Sequence, residues 1–149
     1  MSTSLAVARA VDLLVHDDLA DPFTLAQARL YVAENDETLT QFAVLDEDEN
    51  PYRLLMRTRH HQPLGAGCLV VTGWCAPMSD DEQVAYADNF RPSEHPERQR
   101  VRVSVAITKD GIASVMRQSD DPHKVCEMPA RGVGDLPDVL ESWWLGTLQ

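Results

Sequence analysis

Arg100-Val101-Arg102-Val103-Ser104-Val105-Ala106-Ile107-Thr108-Lys109-Asp110-Gly111-Ile112-Ala113-Ser114-Val115-Met116-Arg117-Gln118 decides the fold. Its two halves, Arg100 to Thr108 and Ile112 to Gln118, are rich in β-branched residues. Between them, Lys109-Asp110-Gly111 places glycine where a tight turn needs a positive φ. The pattern predicts a hairpin. Upstream, Gly65 and Gly67 introduce Cys68 to Trp74, apolar enough for a central strand. Further upstream, Thr38 to Asp46 and Tyr52 to His60 alternate with period two around Glu47-Asp48-Glu49-Asn50-Pro51, which predicts a second hairpin.

Helical spacing flanks this block. From Leu5 to Leu19, Val7, Val11, Leu14 and Val15 recur on one side, and Arg9, Asp12 and His16 form a polar stripe. Asp21-Pro22 has the form of an N-cap followed by proline at the first helical position, predicting a helix from Pro22 to about Glu34 that buries Phe23, Ala26, Leu30 and Ala33. Asp135-Leu136-Pro137-Asp138 opens a last helix, with Leu136, Leu140, Trp143 and Leu148 toward the core and Trp144 partly exposed. Two helices, about five strands and one helix define an α+β fold over residues 1–149 as a single domain. The expected architecture is a mainly antiparallel sheet with the helices on one face. Ala76 to Gln99 is the one long connection and the first place to look for function.

The 149 residues carry 24 acidic and 13 basic side chains, a net charge of −11, with 44% apolar residues. That composition excludes a disordered chain and a general nucleic-acid-coating protein, which needs Lys and Arg against phosphate. The acidity is uneven: residues 1–50 hold 11 acids and 2 bases. No apolar run reaches membrane-spanning length, and Met1 to Leu19 lacks the layout of a secretory signal. Three cysteines, Cys68, Cys75 and Cys126, form no CxxC pair, so cytoplasm is the expected compartment.

Four groups of residues are candidates for chemistry. If the predicted strands are neighbours, Arg53, Arg57 and Arg59 on one and Arg98, Arg100 and Arg102 on another make a guanidinium stripe suited to phosphate or carboxylate. The bland alternative is a solvated sheet face. Asp46, Glu47, Asp48 and Glu49 can dock on a basic partner or simply keep a turn soluble. His61, Cys75 and His95, with His60 and Arg98, can furnish a nucleophile and base where the long loop meets the strand ends. A buried, inert cysteine is the simpler reading. Trp144 offers an aromatic ring for an interface. His123, after Asp120-Asp121-Pro122, completes the histidines, but no HExxH or paired-cysteine signature is present and no metal or cofactor is expected. Arg131-Gly132-Val133-Gly134 opens onto a helix without the Lys and Ser/Thr of a phosphate loop.

Thr72-Gly73-Trp74-Cys75-Ala76-Pro77, His95-Pro96-Glu97-Arg98-Gln99-Arg100-Val101-Arg102 and Asp110-Gly111-Ile112-Ala113-Ser114-Val115-Met116-Arg117 together resemble a group of uncharacterised small proteins of actinobacteria and their phages. The abundance of Arg over Lys agrees with such a GC-rich origin, and the group brings no assigned activity. The expectation is therefore a small cytoplasmic interaction or regulatory protein without catalysis. It would bind a protein partner through its acidic first third and the 76–99 loop, with no membrane or nucleic-acid role and homo-oligomerisation left open. The alternatives are a hydrolase at His61, Cys75 and His95, or a sensor of a small phosphorylated or carboxylate ligand on the strand arginines.

Overall fold

A computed structural model describes residues 3–18, 28–33, 40–44, 51–58, 65–75, 99–119, 121–128 and 136–147. The elements are α1 (Thr3–Asp18), β1 (Arg29–Ala33), β2 (Thr40–Val44), α2 (Pro51–Arg57), β3 (Ala66–Cys75), β4 (Gln99–Thr108), β5 (Gly111–Gln118), β6 (Asp121–Met128) and α3 (Leu136–Trp144). The six strands form one sheet in the order β2-β1-β3-β4-β5-β6, and every neighbouring pair is antiparallel.

The α+β class, the N-terminal helix, the C-terminal helix and the β4–β5 hairpin stand as the sequence predicts. Gly111 has φ 112°, the positive value that the turn demands. Two assignments are corrected. Within the expected Pro22–Glu34 helix, Arg29–Ala33 is instead β1, lying between β2 and β3. The expected strand Tyr52–His60 begins instead as α2, with Pro51 at its first position and Leu54 and Leu55 buried. The helix that follows α1 is therefore α2, after β1 and β2, and not the expected Pro22–Glu34 helix. Among the described residues the sheet has six strands rather than about five, because β1 and β6 join it and Tyr52–Thr58 leaves it.

The helices cover both faces, correcting the one-face expectation. On one face α1 lays Leu5, Ala8, Val11 and Val15 over Tyr31, Cys68, Val70, Ala106, Ala113 and Val115. On the other face, Leu54 and Leu55 of α2 and Leu140 and Trp143 of α3 pack on Leu30, Val32, Leu69, Val105, Ile107 and Ile112. Period-two alternation along β4 sends Val105 and Ile107 one way and Ala106 the other. Leu14, expected in the core, is 46% exposed beside Leu13 at 55%.

Polar contacts fix the helix ends. Ser4 Oγ pairs with Thr108 Oγ1 at 2.8 Å and donates to Gly111 O at 2.6 Å. Thr3 N donates to Asp110 Oδ2 at 3.3 Å, so the β4–β5 turn supplies a carboxylate to the first turn of α1. Across the sheet, the Trp143 indole donates to Thr58 O at 3.1 Å and Oγ1 at 3.2 Å, joining α3 to the end of α2. Gly146, φ 76°, ends α3, with Thr147 N donating to Ser142 O at 2.8 Å.

Candidate functional site

The register of the β4–β5 hairpin sets Arg102 directly opposite Arg117. Two like charges in that position repel. Asp12, from α1, lies between them. Its Oδ1 accepts from Arg102 Nη2 at 3.0 Å, and its Oδ2 accepts from Arg117 Nε and Nη2, both at 2.9 Å. The side chains of Arg102, Asp12 and Arg117 are 0%, 2% and 7% exposed. In such burial an ionised group persists only if paired and hydrogen-bonded. Among the described residues, one carboxylate here faces two guanidiniums.

One helical turn beyond Asp12, His16 is half-buried beside the cluster. Its Nδ1 stands 3.4 Å from Arg102 Nη2. A guanidinium has only donors, so this nitrogen is the acceptor and the ring hydrogen sits on Nε2. Burial first, then Arg117 and Arg102, hold the His16 pKa below its usual 6.5, with Asp12 opposing and His123 adding to the depression.

The edge strand completes the arrangement. The β5–β6 register runs Met116↔Cys126 and then Gln118↔Asp121, an irregularity opposite Pro122–Val125. A bulge of this kind re-aims local groups. Here Pro122 O accepts from Arg117 Nη1 at 2.9 Å. The His123 ring meets His16 edge-on, with centroids 6.0 Å apart and planes at 82°. Farther along β6, Glu127 pairs with Arg9 of α1 at 2.5 Å, a half-exposed ion pair of small energetic weight.

The predicted site residues fare unevenly. Arg102 does meet a carboxylate, but it is the protein's own Asp12. Arg100 lies two residues earlier on β4, so it points to the same face, and it is half-buried. Arg53 and Arg57 lie on α2, whose core residues pack on the opposite face, so the six-arginine stripe does not form. Cys75 is the last residue of β3, opposite Gln99. Trp144 is half-buried against the α2–α3 core, and its indole nitrogen finds no hydrogen-bond partner among the described residues. Asp46, Glu47, Asp48, Glu49, Arg59, His60, His61, His95, Arg98 and nearly all of the 76–99 loop lie outside the described residues.

Asp12, His16, Arg117 and His123 are the site members that the arginine-stripe reading missed. The expected polar stripe of Arg9, Asp12 and His16 is corrected at Asp12, which is buried with its neighbours Val11 and Val15; its place directly after Val11 and three residues before Val15 was the available signal. An acid there needs a buried cation, and the strands supply arginines.

The two described cysteines differ. Cys68 is wholly buried beneath α1, and burial, reinforced by Asp12, pushes its thiol pKa far up, so no thiolate forms there at neutral pH. Cys126 is half-buried and lines a shallow pocket of about 180 Å³ with Gln118, Asp121 and Lys124. Among the described residues, no three His, Cys, Asp or Glu side chains converge as a metal site, and no helix is long and apolar enough to cross a membrane. The chain matches no protein-family model, no curated protein and no solved structure.

Proposed function

We propose that this protein is a non-catalytic protein-binding module. The observation that supports this reading is the double-sided character of α1. One side is buried and clamped by Ser4, Asp12 and His16, while Leu13 and Leu14, 55% and 46% exposed, stand on the other. A helix fixed to its sheet and apolar toward solvent is suited to receive a partner. The exposed Asp17 follows Leu13 and Leu14, and the sequence is acidic through Asp46, Glu47, Asp48 and Glu49. The fitting partner therefore has an apolar patch with basic residues around it.

Affinity capture from the source cell tests the proposal with three proteins: the natural chain, Leu13→Ser with Leu14→Ser, and the 46–49 acids changed to Lys. A partner held by the natural chain and lost by the leucine variant is expected, with weaker and more salt-sensitive capture by the charge variant. Identical capture by all three would refute it.

A further inference from the structure

We propose that His16 is a proton-operated plug over the buried Asp12–Arg102–Arg117 cluster, and that its protonation loosens α1 from the sheet. The geometry makes the device specific. With Nε2 carrying the ring hydrogen, Nδ1 is the one nitrogen able to take up a proton, and it is also the atom facing Arg102 Nη2 at 3.4 Å. Protonation turns an acceptor facing a donor into two donors face to face.

Charged groups surround His16 from four elements. Asp12 on α1 favours the imidazolium, but both of its oxygens already serve the arginines. Asp17, exposed, is the next residue on the same helix. Arg102 from β4, Arg117 from β5 and His123 from β6 all oppose a further positive charge. The folded protein thus prefers the neutral ring, and burial with the two arginines lowers the pKa accordingly. The unfolded chain binds the proton more readily. The stabilisation is whole above 6.5 and is lost as pH falls from 6.5 through the lower folded value. Since His16 is already half-exposed, the imidazolium has a route to solvent, and its departure opens the edge of the ion cluster to water.

Cys68 is a built-in reporter, because it lies fully buried in the core that α1 covers. In a chain with Cys75→Ser and Cys126→Ser, the rate of Cys68 labelling by 4,4′-dithiodipyridine, divided by that of a free thiol at the same pH, measures the opening of α1. The expected result is a rise of about threefold or more between about pH 7.5 and about pH 5.5. His16→Gln keeps an acceptor toward Arg102 but takes up no proton, so its rate stays flat, whereas His123→Gln keeps the rise. The near-UV circular dichroism stays constant throughout. A flat rate in the His16-containing chain, an undiminished rise in His16→Gln, or a rise that follows global loss of the near-UV signal would each overturn the proposal. Should the cysteine variants fold poorly, amide exchange of Val11 to His16 in the unmodified chain gives the same test: protection falls toward about pH 5.5 only when His16 is present.

Discussion

Trp143 occupies the space that a side chain on Gly67 would need. A Cβ at Gly67 would lie 2.5 Å from Cζ3 and 3.2 Å from Cη2 of the indole. The ring is fully buried and held by its nitrogen on Thr58, so it cannot retreat without breaking that bond. Gly67→Ala is therefore expected to cost about 1–3 kcal/mol by overpacking, read as a lower urea midpoint with an unchanged slope.

Asp12 bridges two arginines that the hairpin register forces together. Asp12→Ala leaves both guanidiniums buried and facing each other, with an expected loss of about 3–5 kcal/mol. Replacing all three residues, Asp12→Leu with Arg102→Met and Arg117→Met, removes the buried charges together and is expected to recover most of that stability. Equilibrium unfolding of both variants checks the pair of outcomes, and a triple variant as unstable as Asp12→Ala would contradict this account.

Asp110 connects the hairpin turn to the start of α1. The Thr3 side chain, then the Thr3 backbone, hold the Asp110 carboxyl below its usual 3.8, with Lys109 assisting against a small desolvation effect. Because the folded value is depressed, the stabilisation is present above 3.8 and is lost as pH falls through the folded value. At neutral pH Asp110→Asn should therefore unfold more easily than the natural chain. The two should converge in acid, as thermal melts at several pH values would show.

At neutral pH a thiol reagent should modify Cys126 in the folded protein and leave Cys68 slow until the protein opens. Cys68 is wholly buried with its thiol held protonated, whereas Cys126 is partly open to solvent. Mass-spectrometric mapping of the modified cysteine decides the matter, and fast labelling of Cys68 in the folded state would refute this packing.

Gly111 at φ 112° closes the β4–β5 hairpin. There is open space around a Cβ at this position, so the penalty of Gly111→Ala is backbone strain alone. The expected loss is about 1–2 kcal/mol, visible in the thermal midpoint.

Local rules made the hairpin, β3, α1 and α3 legible, because in those stretches tertiary packing agrees with periodicity. They failed where packing overrode it. Leu30, Tyr31, Val32 and Ala33 are buried on both sides of the sheet, so β1 shows no alternation, and its Leu and Ala content reads as helix. In α2, Tyr52, Leu54 and Met56 imitate period two, yet Leu54, Leu55 and Thr58 are the buried residues, a helical spacing. β6 is largely exposed on both faces and irregular in register, so it leaves no pattern to read. At the site, Arg102 was legible as a carboxylate binder. Its partner was not, because Asp12 and Arg102 lie 90 positions apart and the intervening topology is what brings them together.

That separation sets a timetable for synthesis. Asp12 needs Arg117, which follows it by 105 residues, and Ser4 needs Thr108, which follows by 104. At a translation rate of about 5–20 residues per second, α1 waits on the order of 5–20 s for its anchors. Throughout that interval its apolar side has no finished sheet to lie on. The newborn chain thus passes through a stage in which α1 is a free amphipathic segment, open to chaperones and to neighbouring nascent chains, and the arrival of β5 ends it.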